Sequence, residues 1–260
     1  MKIYVFDIDG NLLRIPTKFY MQDIETLKML TYEASESGNI IGNMEKLGIR
    51  FYIKESYSMR NFRGKLGDKM LFKDIDNAEF GPSWADFVEC INTGSFFGVI
   101  TGRGNSSHCL RKVFKNMILG NLNGLNVKHF VEHIKRNTVF VEKETRELVE
   151  KYSDIRLLEI YLKKYCFFYA RNSKETIKRL NLKRAMSMAT TKLIALKDFE
   201  TRMEEIVKGV CVDEMISLGF SDDEESNCRV IREYFKNDHK RFERQVYITS
   251  GGKRLIYEPI

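Results

Sequence analysis

Proline is scarce in this chain, with three in 260 residues, and no Gly/Ser-rich or low-complexity stretch interrupts it. Composition therefore marks no flexible linker, and any boundary between modules has to be read from motifs. There is no internal repeat, which excludes a solenoid or propeller. No apolar stretch is long enough to cross a bilayer, so no membrane partner is expected. The opening MKIYVFDIDG passes too quickly from apolar residues to acids for a signal peptide. The cysteines, Cys90, Cys109, Cys166, Cys211 and Cys228, are odd in number, widely scattered and never spaced C-x-x-C. That pattern argues against a disulfide framework or a zinc site and fits the reduced thiols of a cytoplasmic protein.

Apolar residues, in contrast, make up 43% of the chain. That is ample for one large α/β domain, or for a core domain carrying a smaller insertion. The 43 Lys and Arg against 36 Asp and Glu leave a net charge of +7, which suits anionic partners such as phosphoesters, nucleotides or nucleic acid. Solvated surface lysines give the same balance, so charge alone selects none of these.

Three apolar runs end in small polar or acidic residues. Lys2 to Ile8 ends in acids. Ser95 to Thr101, SFFGVIT, is followed by Gly102-Arg103-Gly104, and Met215 to Phe220 by Ser221-Asp222-Asp223. Unbroken runs of this kind predict strands buried on both faces of a parallel sheet, whose carboxyl edge is where ligands bind. GPSWADFVECIN places Trp84, Phe87 and Ile91 at helical spacing, and TRELVEKYSDIRLLEIYLKKYCFFYA carries the most persistent helical pattern. Its aromatic residues Tyr161, Tyr165, Phe167, Phe168 and Tyr169 are read as packed core ahead of a base-stacking surface, as is the sole tryptophan, Trp84. IPTKFYM has β character, and VYITSGGKRLIYEP alternates about Gly251-Gly252 as a hairpin does.

Phosphoryl transfer onto a carboxylate needs a nucleophile, a metal to neutralise charge and a proton donor for the leaving oxygen. VFDIDGNLL supplies two acids one residue apart at a strand end. Asp7 is the candidate nucleophile, and Asp9 would protonate the leaving group and then activate water. Gly10 permits the tight turn, and the Asp9 carbonyl is a candidate metal ligand. The Thr101 hydroxyl and the Gly102 amide can hold a phosphoryl oxygen. Arg103 can grip a substrate phosphate with two donors, or can simply be a surface arginine. Asp222 and Asp223 bring hard oxygen ligands for Mg2+, because the acids crowded from Asp222 to Glu225 repel unless a cation intervenes. Alone, D-x-D-G is ordinary loop and helix-cap usage. His129 and His133 have a metal-ligand spacing but no third ligand, so an exposed helix face is expected there.

Together these segments resemble the haloacid dehalogenase-like superfamily. VFDIDGNLL is similar to its first motif, with Asp7 and Asp9 on the two invariant acids. VITGR resembles the second through Thr101, and LGFSDDEESN the fourth through Asp222 and Asp223, with Asn227 following. The resemblance implies an α/β fold with a Rossmann-like parallel sheet and flanking helices. It further implies a Mg2+-dependent phosphohydrolase, a phosphomonoesterase working through an aspartyl phosphate on a small phosphoester, a nucleotide or a nucleic-acid end. The alternative is an inactive member that only binds phosphate or nucleic acid. A lysine between the second and fourth motifs is also implied, to offset charge on Asp7 and the phosphoryl group. LKDFETRMEEI offers Lys197, which is preferred, and TTKLIAL offers Lys192. Asn11 stands where many members carry Thr or Val, and is expected to shape the turn beside the substrate.

Members of the superfamily close inserted caps over the acid pair. Arg14 to Thr93 and Asn105 to Arg184 are the two candidate stretches, and the second, mostly helical one is preferred. The expected division is a core of 1–104 with 185–260, and a cap of 105–184.

Overall fold

The computed structural model describes residues 2–23, 27–33, 51–52, 60–183, 185–208, 216–237, 242–249 and 253–257. Cys211, Met215, the boundary residue Arg184 and the expected Gly251-Gly252 turn lie outside the described residues. The chain begins with β1 (Lys2–Phe6), β2 (Leu13–Arg14), β3 (Lys18–Asp23), β4 (Met29–Glu33) and β5 (Phe51–Tyr52). It continues through α1 (Gly64–Asp74), β6 (Glu79–Phe80), α2 (Trp84–Asn92), β7 (Phe96–Thr101) and α3 (Ser107–Leu119). Four helices follow, α4 (Val127–Arg136), α5 (Thr138–Glu144), α6 (Arg146–Lys151) and α7 (Asp154–Lys164), and then β8 (Cys166–Ala170) and α8 (Lys174–Leu180). The last elements are α9 (Met188–Val207), β9 (Ile216–Asp222), α10 (Glu225–Asn237), β10 (Phe242–Ile248) and β11 (Leu255–Ile256).

The three apolar runs fall side by side at the centre of one sheet of order β11-β10-β9-β1-β7-β8. All neighbours are parallel except β10 and β11, whose Tyr247 pairs with Ile256 as in the expected hairpin. From β1 the chain builds outward to β7 and β8, then returns to β9 on the other side of β1. That reversal makes β1 a topological switch point, where the strand ends splay and leave room for a ligand. Register brings the same ends level, since Phe6 pairs with both Val99 and Ser221.

Successive side chains of a strand face opposite sides of the sheet, and β7 uses both. Phe97 meets Phe87 of α2, Phe114 of α3 and Tyr161 of α7 on one face. Gly98 faces the other way, and a Cβ there would come within 2.9 Å of the Phe199 ring on α9. Glycine thus lets α9 lie close against the strand that ends in Thr101. Serine caps start the helices around this core. Ser106, Ser153 and Ser187 each accept a backbone N–H in the first turn of α3, α7 and α9.

The expected split at Asn105 and Arg184 is not the one the fold makes. Within 105–184, CFFYA is the strand β8, paired in parallel with β7 from Phe97–Cys166 to Thr101–Ala170. Leu110, Phe114, Phe130, Leu157 and Tyr161 belong to the same hydrophobic cluster as Val5 and Phe220. These helices cover the sheet and form no separate cap. Most of the aromatic run is core, with Tyr161, Tyr165, Phe168 and Tyr169 buried and Phe167 partly so. The element outside the main sheet is the earlier stretch. There β3 pairs antiparallel with β4 and β5 in a small sheet, and Phe19 and Met21 alternate inward along β3. His129 and His133 lie exposed on α4.

Gly98→Leu should destabilise the protein by about 1–3 kcal/mol, because the added side chain has to displace Phe199 and with it α9. Urea unfolding monitored by far-UV circular dichroism measures this; an unchanged midpoint would show that the α9 contact has slack.

Candidate active site at the carboxyl edge of the sheet

Asp7 is the first residue beyond β1, and its N–H donates to the Ser221 carbonyl at 3.1 Å. The chain then turns sharply, with the N–H groups of Leu12 and Leu13 both donating to the Ile8 carbonyl. Gly10 takes φ +77°, a conformation that L side chains rarely adopt, and a Cβ there would strike Asp223 Oδ2. Asn11 fixes this turn. Its fully buried amide nitrogen is shared among the Asp7 carbonyl at 3.1 Å and the Ser221 carbonyl and hydroxyl at 3.0 Å. Its Oδ1 accepts from the Ser83 hydroxyl at 2.7 Å. Asn11, expected to shape the turn, has both ends of its amide engaged in tying the end of β1 to β9 and to the start of α2.

Lys192 is buried in the second turn of α9, and its Nζ lies 3.0 Å from Asp7 Oδ2 and 2.6 Å from Asp222 Oδ2. The other oxygen of Asp222 accepts from the Glu224 N–H and from Asn227 Nδ2, both at 3.0 Å. Lys197, the lysine preferred on sequence, is not beside Asp7. Five residues further along an α-helix is about 140° around the axis, and its Nζ lies 4.6 Å from the centre of the Tyr234 ring on α10.

Asp7, Asp222 and Asp223 each offer a carboxylate oxygen, and these lie within 4.8 Å of one another. With all three acids ionised, one lysine among them leaves two negative charges, the complement of a hard divalent cation with oxygen ligands. Asp222 can still contribute, since a carboxylate has about four lone-pair sites. Asp7 Oδ1 is buried and has no hydrogen-bond partner among the described residues. Asp7, Asp222 and Asp223 are the residues that could hold a divalent metal ion, and their all-oxygen donor set is compatible with Mg2+. The Asp9 carboxylate stands outside the three.

Asp9 is turned toward Arg103 instead. Nε of Arg103 donates to Asp9 Oδ2 at 2.8 Å and Nη2 to Oδ1 at 2.7 Å, and Nη2 also reaches the Thr17 hydroxyl at 3.3 Å. The Arg103 side chain is 1% exposed, under the Phe62 ring at 5.0 Å. Neither reading of Arg103 from sequence describes this; it is neither a surface residue nor a free phosphate grip. Thr101 and Asp7 leave adjacent strands within one residue in register, and the buried Thr101 hydroxyl accepts from the Arg103 N–H at 3.3 Å. The Gly102 carbonyl accepts from Asn172 Nδ2 at 2.7 Å, and its α-carbon faces the Met188 methyl. The pairing of Arg103 with Asp9, and the props from Ser83, Asn172 and Met188, had no local signature in the sequence.

Burial raises the Asp7 carboxyl well above its ordinary range; Lys192 opposes this, and the charges of Asp222, Asp223 and Asp9 add to it. Burial alone would lower Lys192, but the carboxylates of Asp222 and Asp7 outweigh it and hold the ammonium more firmly protonated. Partial burial, then the charge of Asp222, pushes Asp223 up to about 7 from an ordinary 3.8. An acid raised in this way binds more protons folded than unfolded, so its contribution to stability falls as pH climbs between those two values. A cation bound by the ionised acids reverses that loss. Mg2+ should therefore raise the Tm much more at about pH 8 than at about pH 5, and Asp223→Asn should shrink the difference. Calorimetric melts with and without Mg2+ check this, and an equal shift at both pH values contradicts it.

Comparison of the chain with protein-family models, with curated proteins and with solved structures finds no match in any of the three.

Proposed function

We propose that the chain is a Mg2+-dependent phosphohydrolase of the haloacid dehalogenase-like kind, cleaving phosphomonoesters through an aspartyl phosphate on Asp7. One observation carries the reading: Asp7, Lys192, Asp222 and Asp223 converge at the switch point, with one Asp7 oxygen held by Lys192 and the other without a partner among the described residues. The unpartnered oxygen attacks phosphorus, forming the new O–P bond as the bond to the leaving oxygen breaks. Lys192 neutralises charge on Asp7 without donating its proton. Thr101, at the end of the neighbouring strand, holds a phosphoryl oxygen in this reading. Asp9 supplies the leaving oxygen with a proton and takes one from the water that hydrolyses the acyl phosphate. Mg2+ held by Asp7, Asp222 and Asp223 would supply charge neutralisation for the phosphoryl oxygens. The net charge of +7 suits an anionic substrate, whether sugar phosphate, nucleotide or nucleic-acid end.

One observation favours a second reading, phosphate or nucleic-acid binding without turnover. Both oxygens of Asp9 accept from Arg103, an ion pair that favours the ionised carboxylate and opposes its use as a proton donor. Salt-sensitive nucleic-acid binding, with no turnover on a panel of sugar phosphates, nucleotides and phosphorylated oligonucleotides, would select it.

Asp7→Asn should lower Mg2+-dependent turnover of 4-nitrophenyl phosphate by about a thousandfold or more, with the fold retained by circular dichroism. Lys192→Ala should lose activity comparably and also lose stability, since it strands two buried carboxylates. Full activity in Asp7→Asn would rule out the mechanism.

A further inference from the structure

Among the described residues, the two necks of the small antiparallel sheet come together beside Arg103. Thr17, just before β3, and Phe62, at the close of the small-sheet region, both bear on Arg103. Asn61 Nδ2 donates to the Lys18 carbonyl at 2.8 Å, clipping the two necks together. The Gly104 N–H donates to the Phe62 carbonyl at 2.8 Å, and Arg63 and Gly104 form a parallel bridge. The loop that carries Arg103 is thus stitched to the outgoing neck by main-chain contacts. The guanidinium lies between both necks, with its fork turned onto Asp9.

A buried guanidinium is costly unless its donors are matched, and truncating its partner leaves an uncompensated charge. Here Asp9 is that partner, and Nη1 is buried with no hydrogen-bond partner among the described residues. The seat of Arg103 is therefore made of three parts: Asp9 from the active-site turn, Thr17 from the incoming neck and Phe62 from the outgoing one. Shifting the necks removes two of the three and frees the fork to move, and the Asp9 carboxylate moves with it.

We propose that Arg103 is a positioning residue that joins Asp9 to the two necks of the small antiparallel sheet, so that the seating of that sheet sets where the Asp9 carboxylate stands. The kinetic side of this rests on the phosphohydrolase reading above; the mechanical side does not. It also gives the clasped Asp9 a meaning other than retired catalysis, since the clasp is a seat that the small sheet controls.

Two measurements test it. In the first, turnover of 4-nitrophenyl phosphate with Mg2+ is compared for the wild-type chain, Arg103→Met, Arg103→Lys, Asp9→Asn and the Arg103→Met/Asp9→Asn pair. Arg103→Met should lower kcat by about a hundredfold with KM moved less than about threefold, since a misplaced group costs rate more than binding. Arg103→Lys, which keeps the charge without the fork, should fall between. In the Asp9→Asn background Arg103→Met should add no further loss; equal losses with and without Asp9 would overturn the positioning role. In the second, hydrogen exchange is followed in peptides covering Lys18–Asp23 and Met29–Glu33, with Ile216–Asp222 as the control. Asp9→Asn, a change in the main body, should speed exchange in the small sheet by about tenfold and leave the control unchanged. No change in the small sheet, or the same increase everywhere, would overturn the coupling. Absence of turnover in the wild-type chain would overturn the phosphohydrolase reading and leave the coupling to be decided by exchange alone.

Discussion

A single buried ammonium group, Nζ of Lys192, holds carboxylates from the ends of two different strands. Without it Asp7 and Asp222 would be like charges a few ångströms apart in a poorly solvated pocket, and one would have to take up a proton. With it they stay together, at the expense of fixing α9. The helix has to present its second turn to the sheet edge while its middle packs against β7. Gly98 makes that approach available, because any larger side chain would meet Phe199. A residue with no side chain on β7 thus bears on the placement of a charge on the neighbouring strand.

The remaining acid is kept close by different means. Asp223 stands over Gly10, where a side chain would collide with its carboxylate. Asn11 and Ser221 bind the two flanking strand ends with a fully buried set of hydrogen bonds. Polar groups buried in this way are expensive unless matched, and once matched they allow little play. The acid cluster is therefore held on rigid supports, while Asp9 alone answers to an element outside the main sheet.

Much of this was legible in the sequence, for physical reasons. Strands buried on both faces appear as continuous apolar runs, so β1, β7 and β9 stood out, along with the polar residues at their ends. β8 did not, because CFFYA follows a helical pattern and short apolar runs do not distinguish strand from helix. The choice of lysine failed on a helix boundary. One helix runs from Met188 to Val207 behind the Ser187 cap, which places Lys192 near its start and Lys197 in its middle. The partner of Arg103 lies 94 positions away, and no local periodicity encodes such a pair. The cap was sought in the mostly helical stretch, but apolar helices cover a parallel sheet as readily as they form a lid.

The two necks of the small sheet are clipped to each other where Asn61 donates to the Lys18 carbonyl. Closing a longer loop between fixed ends adds only about 0.6 kcal/mol for each doubling of its length. What lies beyond the clip can thus be lengthened, shortened or exchanged with little strain on the sheet that holds the acids. Natural variation in size and composition is expected to gather there, leaving the chemistry of the strand ends intact while the surface offered to incoming molecules is rewritten.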